Sequence, residues 1–484
     1  MKKKNYFEIV VFFFYSIISY SWIWLHEPWR DEAQAWLIVR DLNFGEILKQ
    51  LVWEGTPGLW HLLLNPLAKL GLPYYSEFIL HWSIVVVAIA LLLFRSPFNK
   101  WIKISIIFSY YFFYEYVIIA RNYSLTMLLL FALASLYNKR FKLPILYSLL
   151  ILFLFNTNVH SFLAAGALLI IYIWEVLEKK KYSRNYLFAI LIMLFGGLLV
   201  IFQIHPGNSN NALVQFSLLN FNFSSVFIAI GNAFLPAFGV NIYKGFFFSM
   251  FLIFLLFRFI ERPKIFIFFL VSITWLFFIF GAIYQGKLRQ HGLIIIFLIF
   301  SLWLENYYQS ENIKFDGLKK TIYKRIKQIG YIILIISLSL SVFISVKSYS
   351  NEYRFYFSGS KHAAEFIKNN ISYDQVIIAH RSYACSSLLP YLPNHKFWYA
   401  DREEFGSFLI WDTKFKQDAY TLSNELVLER AEKKFGKTTN KIFLLTTPIS
   451  GSMLKNFEKI YYTQKKVFRK KDEQFQIYQE KHEQ

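Results

Sequence analysis

Residues 6–25, YFEIVVFFFYSIISYSWIWL, run directly into residues 26–41, HEPWRDEAQAWLIVRD. The first stretch is about 20 residues of near-uncharged apolar sequence, enough to cross a bilayer as a helix. The second sets Asp31 and Glu32 side by side just where the chain leaves lipid. An acid in that half-dry boundary is costly unless it is partnered or used. Lys2, Lys3 and Lys4 ahead of the run resemble a signal-peptide start. The apolar segment is long and lacks a small-residue cleavage site, so a retained anchor is expected.

Working outward, comparable apolar runs recur along the 484 residues, of which 56% are apolar and 20% aromatic. Spans are expected at about 6–25, 76–95, 104–120, 122–138, 143–159, 161–177, 186–204, 245–260, 265–284, 289–307 and 329–346, roughly eleven in all. Two pieces, 59–72 and 214–244, are expected as interfacial or re-entrant segments. The formal charge of +21 does not call for nucleic acid. Its clusters (Arg95/Lys100/Lys103, Lys139/Arg140/Lys142, Lys179–Arg184, Arg258/Arg262/Lys264, Lys319–Lys327) fall at alternate ends of the runs, the positive-inside pattern. The N-terminus is then cytoplasmic, residues 26–75 form the first outer loop, and everything after about 346 lies outside.

The tail, 347–484, changes character. The β-branched runs DQVIIAH and KIFLLTT alternate with helix-like SGSKHAAEFIKNN and SNELVLERAEKKFG, which predicts a small extracytoplasmic α/β domain. Cys385 is the only cysteine, so neither a disulfide nor a Cys-based metal site forms within one chain. No Gly-rich phosphate loop occurs, which argues against a nucleotide cofactor.

In the first outer loop, Asn43 and Glu46 have capping-box spacing ahead of an apolar face, predicting a helix lying on the membrane. WEGTPGLWHLLL follows, with Glu54 beside a Gly-Thr-Pro turn. Other polar sets map to the same outer face: Glu115, Arg121 and Asn122 in EYVIIARNYS; His160 in FNTNVHSF; His205; and Lys287, Arg289 and His291 in YQGKLRQHG. Each has an ordinary explanation, such as a helix cap, a snorkelling anchor or a helix-end hydrogen bonder. Together, cations and amides beside carboxylates predict a pocket for an anionic headgroup with an acid or base in it. In the tail, HRSYACSSLLPYLPNHKFWYADREEFGSFLIWD carries aromatics and Asp401, Glu403 and Glu404, which suit either an acceptor-gripping surface or a core with a polar rim.

With these residues placed, the chain resembles the GT-C superfamily of integral-membrane glycosyltransferases, in the protein O-mannosyltransferase and aminoarabinose transferase-like group. WRDEAQAWLIVRD, WEGTPGLWHLLL, ARNYSL and GKLRQHGLIIIFLIFSLWL carry the likeness, over about residues 1–310. The resemblance implies inverting transfer of a sugar from a polyprenyl-phosphate carrier to a glycan, lipid or protein acceptor at the outer face of the inner or plasma membrane. It implies Asp31 as general base or metal ligand, Glu32 as its acidic neighbour and Glu54 as the second acidic position. Relatives more often carry His where Thr56 stands. Arg121, Asn122, His160, Lys287, Arg289 and His291 would then hold the substrates, and a divalent ion on Asp31 and Glu32 is left open. The competing expectations are a lipid-linked solute transporter or flippase, whose charges belong near the midplane, and a polysaccharide polymerase or ligase.

Overall fold

A computed structural model of the chain describes residues 5–180, 182–205, 221–236, 242–308, 318–412, 418–436 and 440–481. Among them, eight helices are long and apolar enough to cross a membrane: Tyr6–Ile23, Tyr75–Arg95, Val159–Glu178, Arg184–Ile204, Ile242–Phe259, Pro263–Ile283, Leu288–Tyr307 and Gln328–Arg354. With the backbone groups of its interior satisfied within the helix, each is the kind of element a membrane-embedded chain requires. Lys319 to Lys327 begin the helix Leu318–Arg354, which continues eight residues past the expected end at 346.

Three expected spans differ. Residues 122–138 and 143–159 give the shorter helices Tyr123–Leu136 and Pro144–Phe155. The stretch 104–120 is interrupted: Lys100–Ile107 ends, and Tyr111–Glu115 forms π-helical turns before Tyr116–Ile118. A π turn misaligns backbone partners and frees carbonyls. Tyrosines from flanking helices take them up: Tyr15 Oη donates to the Phe112 carbonyl at 2.5 Å, and Tyr349 Oη to that of Phe113. Hydropathy carries no trace of such a break. Of the two less regular pieces, 59–72 contains the helix Leu59–Lys69, and 214–244 contains Phe223–Phe234, while 206–220 and 237–241 lie outside the described residues.

After α1 (Tyr6–Ile23), the segment expected as the first outer loop folds as α2 (Arg30–Asp41), α3 (Phe44–Glu54) and α4 (Leu59–Lys69), leading into α5 (Tyr75–Arg95). The capping box forms as expected, with the Asn43 side chain accepting from Glu46 N–H at 3.0 Å and Glu46 accepting from Asn43 N–H at 2.8 Å. α2 is buried all round from Glu32 to Val39, as its sequence AQAWLIV demands. Trp36, Ile38 and Val39 pack with Trp60, Leu64 and Phe78, while Leu37 enters the core of the C-terminal sheet.

That sheet has six strands: β1 (Val376–His380), β2 (Phe397–Tyr399), β3 (Glu404–Gly406), β4 (Lys441–Leu445), β5 (Phe457–Tyr462) and β6 (Gln476–Glu480), in spatial order β3-β2-β1-β4-β6-β5. β1 is parallel to β2 and β4, and the outer pairs are antiparallel. The helices Ser360–Asn370 and Asn424–Phe435 accompany it. Phe397, Trp398 and Tyr399 are buried in its two cores, and Asp401 is buried with Ser382 Oγ donating to it at 2.5 Å. The tail's central aromatics therefore pack the sheet and do not grip a ligand.

Candidate active site

The start of α2 is pinned before any ligand arrives. Glu32 is fully buried; one carboxylate oxygen accepts from Ala120 N–H at 2.7 Å, and the other from Trp29 N–H at 3.1 Å. The second oxygen also lies 3.2 Å from His26 Nε2, whose Nδ1 is 3.1 Å from Glu352 on the last long helix. Burial alone would lower the His26 pKa, but the Glu352 and Glu32 carboxylates raise it to about 10. Glu32 is thus a structural latch holding α1, α2 and Leu318–Arg354 together. Its place as a catalytic neighbour of Asp31 is not what the geometry gives it.

Asp31 points the other way. Arg289 Nη2 donates to Asp31 Oδ2 at 2.5 Å; Arg121 Nη1 donates to the Asp31 carbonyl and lies 4.0 Å from the same carboxylate oxygen. Burial pushes the Asp31 pKa up, yet Arg289, Arg121, Lys470 and Arg30 outweigh it and hold the carboxyl below its ordinary value. Beside this pair a cavity of about 400 Å³ opens between the membrane helices and the C-terminal unit. Lys287, Arg289, Arg469 and Lys470 supply its positive wall, with Glu115, Asn232 and His291 among its other polar lining.

Trp29 organises the cations. The Lys470 ammonium sits 3.0 Å from its ring centre and the Arg289 guanidinium 5.0 Å from it, cation–π contacts that tolerate crowded positive charge. Trp29 is 3% exposed, and its Nε1–H, like Arg289 Nε–H, has no acceptor among the described residues. Burial lowers the Lys470 amine to about 7, with Asp31 opposing and Arg289 adding to the drop. Two buried donors without acceptors, beside ammonium and guanidinium groups, make a receptor for an anion.

Arg469 and Lys470 reach this wall because residues 466–473 pair with the chain leaving the last long helix. Tyr356 N–H donates to Lys466 O at 3.1 Å, Phe468 N–H to Tyr356 O at 2.9 Å and Lys470 N–H to Phe357 O at 3.1 Å. Arg30 closes the loop through Asp472 and Glu473. Arg469 Nη2 is 3.0 Å from Glu115, which also accepts from Tyr110 Oη at 2.5 Å. Sequence reasoning missed Trp29, Arg469 and Lys470. The signal was the run KKVFRKKDEQ, residues 465–474, which reads as a solvated charged stretch.

Glu54 does not line this cavity. Its Oε1 accepts from Gln34 Nε2 at 2.8 Å and Gln50 Nε2 at 3.0 Å. Both amides also donate to the Leu409 carbonyl of the C-terminal unit. Burial raises the Glu54 pKa to about 7, against the pull of the two amides and Arg121 and with the repulsion of Asp31. Two neighbouring carboxyls are thereby driven apart, one firmly ionised and one titrating near neutrality, the arrangement that separates acid–base roles.

Of the other expected substrate binders, Lys287 and His291 line the cavity. Asn122 instead ties Thr56 (3.1 Å) to the Thr157 carbonyl (2.9 Å), and His160 Nε2 is 2.7 Å from Tyr284 Oη. Both brace the site from outside the cavity. A divalent ion on Asp31 and Glu32 does not fit: the adjacent carboxylates face different partners, one arginine-paired and one filled by amides and His26. Among the described residues no three His, Cys, Asp or Glu side chains gather as a metal would need. Comparison with protein-family models and with curated proteins finds no match for the chain.

Proposed function

We propose that the chain is a GT-C-type glycosyltransferase of the inner or plasma membrane. It moves a sugar, with inversion, from a polyprenyl-phosphate carrier to an acceptor at the outer face. The shorter helices complete about eleven crossings, and the sheet unit lies outside. The observation that carries this reading is the Asp31–Arg289 pair set against a cavity whose walls offer Lys287, Arg469, Lys470 and the unpartnered Trp29 Nε1–H.

In this reading the donor phosphate occupies the cation wall. As the bond between the anomeric carbon and the phosphate oxygen breaks, the negative charge left on phosphate is met by fixed cations that need no rearrangement. The acceptor oxygen bonds to the anomeric carbon from the opposite side, and its proton passes to a carboxylate. Glu54, titrating near 7, is the effective proton acceptor at neutral pH. Asp31, held ionised by its arginines, aims Arg289 at the phosphate. A transporter would have used Glu115 as its intramembrane acid, but Arg469 and Tyr110 engage it, which favours the enzyme.

The test is transfer of radiolabelled sugar from polyprenyl phosphate by purified protein in nanodiscs, over a panel of acceptors. Asp31→Asn and Glu54→Gln should each lower kcat by about 10²–10⁴-fold, and kcat/KM of the wild type should peak near pH 7, rising as Glu54 ionises and falling as Lys470 loses its proton. Absence of transfer with every donor, or full activity in both variants, would overturn the proposal.

A further inference from the structure

A second cavity, about 370 Å³ and almost wholly apolar, lies between α3 and α4 on one side and the helices Pro144–Phe155 and Arg184–Ile204 on the other. Its walls include Leu48, Leu51, Leu62, Phe153 and Phe202. Phe202 is 76% exposed and Leu62 52%, so the groove opens sideways along membrane helices, where hydrocarbon and not water is the neighbour. It is not a plain greasy slot. His61, 3% exposed, lines it with neither ring nitrogen partnered among the described residues, and Asn65 lines it with its Nδ2 likewise unpartnered among them. A buried imidazole without partners calls for a ligand that donates and accepts.

The groove's place relative to the catalytic residues narrows the occupant. Leu51 lies one turn before Glu54 and Gly58 directly after the Thr56–Pro57 turn. Gly58 N–H donates to Gln203 at 2.7 Å and Gln203 to Asn156 at 2.9 Å, fixing that rim beside the Asn122–Thr56 contact. The groove shares no lining residue with the cation wall. It offers hydrogen bonds from neutral groups and no cation, the reverse of the phosphate cavity.

We infer that this groove holds the hydrocarbon chain of the acceptor, a lipid with an uncharged hydroxylated head that lies against His61 and Asn65. The inference rests on the glycosyltransferase reading and specifies its acceptor class. Two amphiphiles then use separate cavities, the anionic donor the one with the cation wall and the neutral acceptor the groove.

Binding without turnover tests it. Cys385 is the only cysteine and is buried, so Leu62→Cys, or Phe44→Cys on the same lining should the first fail to fold, takes a bimane label at one place. Full-length protein in nanodiscs is titrated with dodecyl glucoside carrying a chain-end nitroxide, and separately with a nitroxide-bearing prenyl phosphate of similar length. Saturable quenching by the glucoside, lost when Leu199→Trp fills the groove and not produced by the prenyl phosphate, is expected. Quenching by the prenyl phosphate alone would assign the groove to the donor and overturn the inference. Quenching by both no stronger than bulk partitioning would overturn it too. Failure of sugar transfer leaves this readout unchanged, so the two readings fail separately.

Discussion

Replacing Glu54 by Gln removes one ionisable proton and keeps an oxygen that can accept from Gln34 and Gln50. Burial raises the carboxyl from 4.5 to about 7. Each pH unit between those values corresponds to about 1.4 kcal/mol, so ionised Glu54 destabilises the folded chain by about 3 kcal/mol above pH 7. The folded state binds this proton more tightly than the unfolded state does. Wild-type stability should therefore fall as pH rises from about 4.5 to about 7 and level off beyond it. Tryptophan-fluorescence melts of both proteins in detergent, from pH 4 to 9, isolate the contribution as a difference. At pH 4 the two should melt together; at pH 8 Glu54→Gln should melt a few degrees higher. A variant less stable than wild type at pH 8, or a difference that does not change with pH, would refute the claim that Glu54 is kept near neutrality by burial.

Because Lys470 titrates near 7, an anion that secures its proton should take up roughly half a proton per site at pH 7; calorimetry with farnesyl phosphate in buffers of different ionisation heat measures it, and Lys470→Arg should abolish it. The His26 latch has a raised pKa, so its contribution is full below pH 6.5 and is lost as pH climbs through about 10. His26→Gln, which leaves Glu32 and Glu352 uncompensated, should cost about 3 kcal/mol at neutral pH, seen as a lowered melting temperature. Gly245→Ala would drive its Cβ onto the Phe227 carbonyl where the helices Phe223–Phe234 and Ile242–Phe259 cross, destabilising by about 1–3 kcal/mol. Gly166→Ala, with only Leu163 at 4.0 Å, should be tolerated in the same melting assay.

Hydropathy alone determined that this is a membrane chain, because a helix's need for some 20 apolar residues is written in consecutive positions. The Asn43–Glu46 cap and the strands at 376–380 and 441–445 were legible for the same reason: their signals are local in sequence. The sequence also marked Asp31, Glu54, Lys287, Arg289 and His291 as polar groups at helix edges. Only the tertiary structure decided what each of them meets. Asp31 and Arg289 stand 258 positions apart, and Lys470 comes from the far end of the chain to share the same indole. Glu32 and Asp31 are adjacent in sequence yet diverge, because neighbouring side chains on a helix point about 100° apart. Charge pairing, burial and proton affinity depend on what packing brings within a few ångströms, and composition and periodicity hold no record of that.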